Sequence, residues 1–423
     1  MLPEIHTPIP GPLSRELAAK LRAHESRNVT FLADDWPVFW QRAEGVNVWD
    51  VDGNRFLDLT SAFGVSGLGH TNAAVRAALV AQSGELMHAM GDVHPTAVKA
   101  ELCARLSALT FERWGAGAGK TILGNSGFEA VEAALKTALL HSGKPGVLAF
   151  SGGYHGLGFG ALTATGLPYF REPFRAQLAE FAQFAPYPSG DDADLAALRR
   201  EIEATIRTGA IGCILVEPIQ GRGGCVVPPR GFLPMLRAVC DAHGVLLVLD
   251  EIYTGFNRTG ALFACEHSRV VPDLFCLGKA LTSGFPLSAC VGRAGVMDAW
   301  PESRGEALHT STFLGNPLGC AMALASLEQH ARPETAALVR ERGGKLRAAL
   351  QPLGDVRGLG LMLGVEVANA ALAVQIVKRA LCDGILILAD APAGDVLSFA
   401  PPFAISDEEI AFAAAKLAGY FPR

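Results

Sequence analysis

"LVLDEIYTGFNRTG", residues 247–260, begins with a short apolar run that ends at Asp250. A run of this length, bounded by polar and glycine residues, is typical of a strand buried on both faces. The chain contains three more such runs: GVLAF at 146–150, IGCILVE at 211–217 and LFCLG at 274–278. Helical patterns such as FEAVEAALKTALLH (128–141) separate them. This alternation predicts an α/β fold with a mostly parallel central sheet flanked by helices.

The two ends of the chain show sequence patterns that differ from this alternation. Near the N-terminus, VNVWD and RFLDL flank Asp52-Gly53, which predicts a β-hairpin. After about residue 320, a long helical stretch precedes the shorter runs GLMLGVEV (360–367) and GILIL (384–388). Because chain termini often lie close together, we expect the hairpin to join a smaller α+β domain at the C-terminus. The predicted units are therefore residues 1–65 and 323–423 in the small domain and 66–322 in the large one.

Composition excludes several classes of protein. The net charge of −6 and the lack of a basic stripe argue against a nucleic-acid partner. No apolar run reaches membrane-spanning length, and the N-terminus has no apolar signal-peptide segment. The nine dispersed cysteines include no C-x-x-C pair, which indicates reduced thiols and a cytoplasmic protein. The eleven histidines show no H-E-x-x-H spacing, so we expect no metal.

The segment GAGAGKT at 115–121 is similar to a nucleotide-binding phosphate loop, but its spacing is wrong. The pattern G-x-x-x-x-G-K-[ST] requires a glycine at position 114, which is Trp114. A helical pattern precedes the segment and a strand follows it, whereas a phosphate loop opens a helix. We therefore expect a helix-to-strand turn.

A phosphate site is instead expected eleven residues further on. The strand leaving the turn ends in Gly124-Asn125-Ser126-Gly127, and a helix begins at once. Small residues between a strand and a helix N-terminus form an anion site, and Ser126 can add its hydroxyl. Taken alone, these residues fit an ordinary helix cap by Ser126 equally well.

Three further side chains follow apolar strands. Tyr154 lies in GGYHG after the strand at 146–150, Asp250 ends its own strand, and Lys279 lies between glycines in LGKALTSG. Open α/β sheets bind ligands outside the carboxyl ends of their strands. A strand-end lysine, a buried carboxylate, an aromatic face and a phosphate site are the parts that pyridoxal phosphate needs.

On these residues the chain resembles the class-III pyridoxal-phosphate-dependent aminotransferases, which have the aspartate-aminotransferase fold (fold type I). The resemblance covers most of residues 50–370, and the matching stretches occur in the family's order. They are NSGFEAVEAALKTA, YHG, EPIQG, DEIYTGFNRTG, PDLFCLGKAL, STFLGNP and VRGLGLMLGVE. One departure is Asn257, where the family usually has glycine.

The resemblance implies a role for each residue around the cofactor ring. Lys279 would form the Schiff base with the cofactor and carry the proton. Asp250 would pair with the pyridine nitrogen; a structural ion pair is the weaker alternative. Ile252 and Tyr154 would pack against opposite faces of the ring, although Ile252 is equally consistent with a core position. His155 would support the site rather than act on the substrate.

The resemblance also implies a phosphate site shared between subunits. Ser126 and Gly127 would hold the phosphate, and Thr312 would reach the phosphate of the neighbouring subunit. The protein would then be a homodimer with composite active sites, unless Thr312 is a simple turn hydroxyl. Glu217 and Gln220 of EPIQG would line the site; Glu217 could instead end a strand in solvent.

The substrate expectation depends on VLSFAPPF at 396–403. Many relatives that bind a substrate carboxylate have an arginine three residues before the Pro-Pro pair, and here that residue is Ser398. A serine cannot form the bidentate arginine–carboxylate pair. Phe63 and Val65 offer an apolar lining. We expect transfer from an amine or amino acid, with ω-amino or apolar donors favoured, to a 2-oxo acid. A shifted alignment, or another arginine in this role, would remove that preference.

Two other functions stay open at this point. A racemase or epimerase of the same family would use the same lysine but return the proton to the opposite face of Cα. A cofactor-binding sensor would carry a DNA-binding domain, and the first thirty residues are too short and too weakly basic for one.

Overall fold

The computed structural model describes residues 1–421 and contains three β-sheets. Its N-terminal strands are β1 (Trp40–Glu44), β2 (Asn47–Asp50) and β3 (Arg55–Asp58). Strands β2 and β3 are antiparallel, with Val48 opposite Phe56. Gly53 has a φ of +85° in the turn between them, a conformation that glycine adopts without strain. The predicted hairpin is confirmed.

The central sheet has seven strands in the order β4-β10-β9-β8-β7-β5-β6. The strands are β4 (Gly119–Gly124), β5 (Gly146–Phe150), β6 (Ala182–Ala185), β7 (Ile211–Val216), β8 (Leu246–Asp250), β9 (Leu274–Leu277) and β10 (Ser288–Arg293). Strand β10 runs antiparallel to both of its neighbours, whereas the pairs from β9 to β6 are parallel. The mostly parallel central sheet is confirmed.

Helices surround this sheet and complete the C-terminal part. They are α1 (Pro12–His24), α2 (Ser61–Gly64), α3 (Ala73–Glu85), α4 (Ala97–Ser107), α5 (Gly127–Ser142), α6 (Phe159–Ala164), α7 (Pro168–Arg171), α8 (Leu195–Ile206), α9 (Phe232–His243), α10 (Ala294–Met297), α11 (Pro317–His330), α12 (Pro333–Leu350), α13 (Ala370–Cys382) and α14 (Asp407–Ala418). Helix α5 buries Val131, Ala134, Leu135 and Ala138 against the sheet. The 115–118 segment precedes β4 and opens no helix, as expected for a helix-to-strand turn.

Four of the five C-terminal strands form a small sheet of their own, and the fifth joins the sheet of the N-terminal hairpin. They are β11 (Val356–Leu359), β12 (Met362–Glu366), β13 (Ile385–Leu386), β14 (Leu388–Asp390) and β15 (Val396–Phe399). Strands β11, β12, β15 and β14 form an antiparallel sheet in that order. Strand β13 pairs in parallel with β3, with Ile385 opposite Leu57. Leu57 and Leu59 lie in the same apolar cluster as the C-terminal strands, so the hairpin packs with the C-terminal part. The exact domain boundaries stay a prediction.

Within residues 1–421, every helix is too short or too polar to cross a bilayer. The same residues contain no cluster of three or more histidine, cysteine, aspartate or glutamate side chains suited to a metal ion. All nine cysteines are free thiols.

Candidate active site

A cavity of about 560 Å³ lies at the carboxyl ends of the central strands. Nine predicted residues line it: Phe63, Ser126, Gly127, Tyr154, His155, Glu217, Asp250, Ile252 and Lys279. Leu388 and Asp390 of β14 form the opposite wall. The cavity therefore lies between the central sheet and the C-terminal strands, where the strand-end rule predicts a ligand site.

Lys279 follows β9 after a single glycine and begins a short 3₁₀ turn, Lys279–Leu281. Its φ of +42° lies in the left-handed region, which is strained for a residue with a side chain. Burial lowers the pKa of the Lys279 amine, and the carboxylates of Asp250 and Glu217 partly offset that effect. Lowering the pKa makes the neutral, nucleophilic form of the amine more accessible.

The ring of Tyr253 lies beside this amine, with its centroid 4.9 Å from Lys279 Nζ. Two glycines make room for the ring. A Cβ on either Gly64 or Gly221 would lie 2.3 Å from a Tyr253 ring carbon. Glycine at these two positions therefore lets the Tyr253 ring form one wall of the pocket around Lys279.

Asp250 is 4% exposed and has two hydrogen-bond partners. Its Oδ2 lies 2.8 Å from His155 Nδ1, and its Oδ1 accepts a hydrogen bond of 3.1 Å from the Ile252 amide. Burying a carboxylate is costly unless it is paired, and His155 supplies the partner. The two contacts hold the Asp250 carboxylate in place at the cavity.

Ile252 and Tyr154 reach the cavity from different strands. A Cβ on Gly127 would lie 2.9 Å from Ile252 Cδ1, so Ile252 packs tightly against the start of α5. The Tyr154 amide donates to Glu217 Oε1 at 2.8 Å, and its ring lies 5.4 Å from that of Phe170. Both side chains are therefore fixed by their neighbours.

The start of α5 carries an unsatisfied hydroxyl. Glu129 Oε2 accepts the backbone amides of Asn125 and Ser126, so its side chain caps this end of the helix. The buried Ser126 hydroxyl has no hydrogen-bond partner within residues 1–421. A buried hydroxyl without a partner is costly, and at a helix N-terminus it is suited to a phosphate oxygen. The residues present thus fit pyridoxal phosphate: the Ser126 hydroxyl would hold its phosphate, and the Asp250 carboxylate would pair with its ring nitrogen.

Glu217 and Gln220 occupy the loop after β7. Glu217 is 6% exposed, and its two oxygens accept the amides of Tyr154 and Gly221 at 2.8 and 3.0 Å. Burial raises the pKa of the Glu217 carboxyl to about 7. The alternative that Glu217 ends a strand in solvent is wrong. Gln220 lies behind the cavity wall and donates to the Ser151 carbonyl at 2.8 Å.

Besides Gln220, three predicted residues lie outside the cavity lining. Thr312 is exposed on the loop before α11, and Val65 is half-buried after the Phe63 turn. Ser398 is 4% exposed in β15, directly opposite Leu388.

Sequence reasoning did not identify two charged residues of the cavity, Arg222 and Asp390. The Arg222 guanidinium lies 5.2 Å from the Tyr154 ring centroid and 5.3 Å from that of Phe170. Arg222 directly follows EPIQG, and this position in the sequence could have indicated that it lies near the cavity. Asp390 belongs to no motif.

Comparisons with known proteins agree with this geometry. The family model for aminotransferase class-III matches residues 31–420. A 4-aminobutyrate aminotransferase of Mycobacterium leprae is 36% identical, over 96% of this chain and 95% of that protein. An acetylornithine aminotransferase of Methanopyrus kandleri is 38% identical, over 90% and 94%. Among solved structures, a pyridoxal-phosphate-bound amine transaminase from an uncultivated Pseudomonas species has a TM-score of 0.84 at 28% identity, covering 94% of this chain and 98% of that one. The ornithine aminotransferase of Toxoplasma gondii has a TM-score of 0.84 at 30% identity, with coverages of 96% and 93%.

Proposed function

The chain belongs to the class-III aminotransferases, and we propose that its donor carries the reacting amine remote from any carboxylate, or has an apolar side chain. It is an enzyme that uses pyridoxal 5′-phosphate to move an amino group from an amino donor to a 2-oxo acid. Racemisation is not favoured, because the similar curated proteins are aminotransferases. The observation behind the donor proposal is Ser398, which stands where many carboxylate-binding relatives have arginine.

Lys279 and Asp250 are the proposed catalytic residues. When bound, the cofactor supplies an electron sink for the negative charge that develops at the donor's Cα. Lys279 would hold the cofactor and, once displaced by the donor amine, take the Cα proton. Its lowered pKa supports this role, because a base must be partly neutral. Asp250, oriented by His155 and the Ile252 amide, would keep a proton on the ring nitrogen.

The remaining contacts would position the cofactor. Ser126 and Gly127 would hold the phosphate, a role supported by the unpartnered Ser126 hydroxyl. Ile252 and Tyr154 would flank the ring. Glu217 would act through Tyr154, because it binds the Tyr154 amide. Gln220 would act from behind the cavity wall, through the Ser151 carbonyl at the start of the loop that carries Tyr154.

Arg222 is the proposed partner of the acceptor's carboxylate. A 2-oxo acid brings a carboxylate into the cavity, and binding it there needs a fixed cation. Arg222 is the one arginine among the cavity-lining residues of the described chain, and it forms no ion pair within 4.0 Å there. Arg222 would meet the acceptor from the Tyr154 side of the cavity, whereas position 398 lies on β15.

A homodimer with composite sites is proposed from Thr312 and its surroundings. Next to Thr312 lies an apolar patch formed by Met87, Met90, Val93 and Phe313, each more than half exposed. Its two segments are joined by a hydrogen bond of 3.1 Å from Asn316 to the Met87 carbonyl. Covering this patch would remove apolar surface from water and bring Thr312 to a neighbouring subunit. A fully active monomer in sedimentation at assay concentration would refute the dimer.

Localisation in the cytoplasm is proposed from the thiols. All nine cysteines are free, which is typical of a reducing compartment.

The donor proposal is tested by kinetics with a fixed 2-oxo acid. The comparison covers ω-amino acids, simple amines and common α-amino acids, with Ser398→Arg assayed in parallel. We expect ω-amino and simple amine donors to have the higher kcat/KM in the unmodified enzyme. If glutamate far outperforms them in the unmodified enzyme, the donor proposal is wrong. Lys279→Ala serves as the inactive control.

A further inference from the structure

The cavity wall opposite the central sheet carries a negative charge. Asp390 ends β14 and lines the cavity together with Leu388. Strand β14 pairs with β15 so that Leu388 lies opposite Ser398. Where the resemblance leads us to expect an arginine, this wall therefore has a serine and a neighbouring carboxylate. A substrate at this wall therefore meets a negative charge instead of a positive one.

Asp390 also differs from the other carboxylates of the cavity in its partners. Asp250 is paired with His155, and Glu217 accepts two backbone amides. Asp390 forms no ion pair within 4.0 Å in the described part of the chain. Burial raises the pKa of its carboxyl, while Ser398, Arg222 and Lys279 partly oppose that effect. A cation brought by the substrate would offset the cost of this half-buried charge.

We propose that Asp390 binds the distal ammonium group of a primary diamine while the other amine reacts at Lys279. The inference rests on the proposed function, because it names the donor for the same site. Phe63, Leu157 and Leu388 give the cavity apolar surface for the methylene chain between the two amines. The ammonium of a bound diamine would otherwise lose its hydration without compensation, so a carboxylate at its far end decides specificity.

The chemistry balances without a further reactant. One amino group passes to the 2-oxo acid, whose carbonyl carbon becomes the amine-bearing carbon of an amino acid. The donor carbon leaves as an aldehyde, whose oxygen balances the one lost by the acceptor. The second amine is neither oxidised nor transferred, so it can stay bound to Asp390 until the aldehyde leaves.

The test compares 1,4-diaminobutane with 1-aminobutane, which lacks only the second amine, on the holoenzyme with one fixed 2-oxo acid. We expect the unmodified enzyme to prefer the diamine by about tenfold or more in kcat/KM, as for a hydrogen bond between charged groups. Asp390→Asn should remove this preference, mainly through KM of the diamine, and change the monoamine by less than about twofold. Asp395→Asn, in the turn of the same hairpin and outside the cavity lining, should change neither donor.

The outcomes separate the inference from the proposed function. Equal losses with both donors in Asp390→Asn would assign Asp390 a structural role and overturn the inference. So would an unmodified enzyme that uses amines without preferring the diamine. An unmodified enzyme that transaminates only α-amino acids would overturn the proposed donor class, and the diamine inference with it.

Discussion

Replacing Arg258 should destabilise the protein more than any surface arginine does. Arg258 is 1% exposed, yet it carries a charge. Its Nη1 donates to the carbonyls of Leu361 and Pro401 at 3.1 and 2.7 Å, and its Nη2 donates to Ser61 Oγ at 3.3 Å. The guanidinium also lies 4.9 Å from the Phe403 ring centroid. Arg258 therefore links the segment after β8 to the N-terminal part of the chain at Ser61 and to the C-terminal part at Leu361 and Pro401.

The expected effect follows from opposing contributions. The two hydrogen bonds from the guanidinium to backbone carbonyls contribute about 1.5–3 kcal/mol each, and the desolvated cation–π contact contributes about 2 kcal/mol. The longer bond to Ser61 adds little. Burial lowers the pKa of Arg258 from 12.5 to about 10, and this corresponds to a cost of roughly 3 kcal/mol that disappears with the charge. Arg258→Met keeps most of the apolar stem. We expect it to lower the free energy of unfolding by about 2–5 kcal/mol.

Denaturant unfolding of the holoenzyme, followed by circular dichroism, measures this difference. Arg304→Met is the matched control, because Arg304 is exposed and should change stability by less than about 0.5 kcal/mol. Since Ser61 leads into the Phe63 turn, the Arg258 variant should also raise KM for the donor. An unfolding midpoint equal to that of the unmodified enzyme, with an unchanged slope, would refute the reasoning.

Three further outcomes are expected. Borohydride treatment of the holoenzyme should attach the cofactor to Lys279, and peptide mapping that finds it on another lysine would overturn the assignment. The pKa of Glu217 is about 7 when folded and 4.5 in the reference state, so its ionisation should weaken the fold as pH rises through that interval. The stability of the unmodified enzyme relative to Glu217→Gln should thus fall by roughly 3 kcal/mol between pH 4.5 and 8, and a constant difference would contradict this. Gly127→Ala should raise the dissociation constant of the cofactor, because the new Cβ would lie 2.9 Å from Ile252 Cδ1. Gly344→Ala, with open space at its Cβ, should leave cofactor binding unchanged.

Much of the central sheet could be predicted because its strands are buried on both faces. Such strands appear as short apolar runs, and β5, β7, β8 and β9 were found in this way. Strand β10 and its antiparallel direction were not, because the short segment SACVGR includes Ser288, Gly292 and Arg293 and is no continuous apolar run. The direction of a strand depends on the connection that leads into it, and the residues of the strand itself do not indicate that connection.

Some residues of the candidate active site could also be predicted from the sequence, and others could not. Lys279 and Asp250 were predictable because a charged residue directly after an apolar strand has one location in this fold, the carboxyl edge. Arg222 and Asp390 reach the same cavity from an irregular loop and a short hairpin. Their positions depend on tertiary packing between the central sheet and the C-terminal strands. Sequence spacing carries little information about such packing.

The hairpin register changes what an arginine at position 398 should do. Leu388 lies opposite Ser398 and Asp390 opposite Val396, so Asp390 and Ser398 are diagonal neighbours on one face. A new arginine at 398 would pair with Asp390 before it met a substrate carboxylate. Ser398→Arg alone should therefore gain little with glutamate as donor, whereas Ser398→Arg combined with Asp390→Asn should gain about tenfold more in kcat/KM. Equal gains in the single and double variants would show that Asp390 does not hold the arginine.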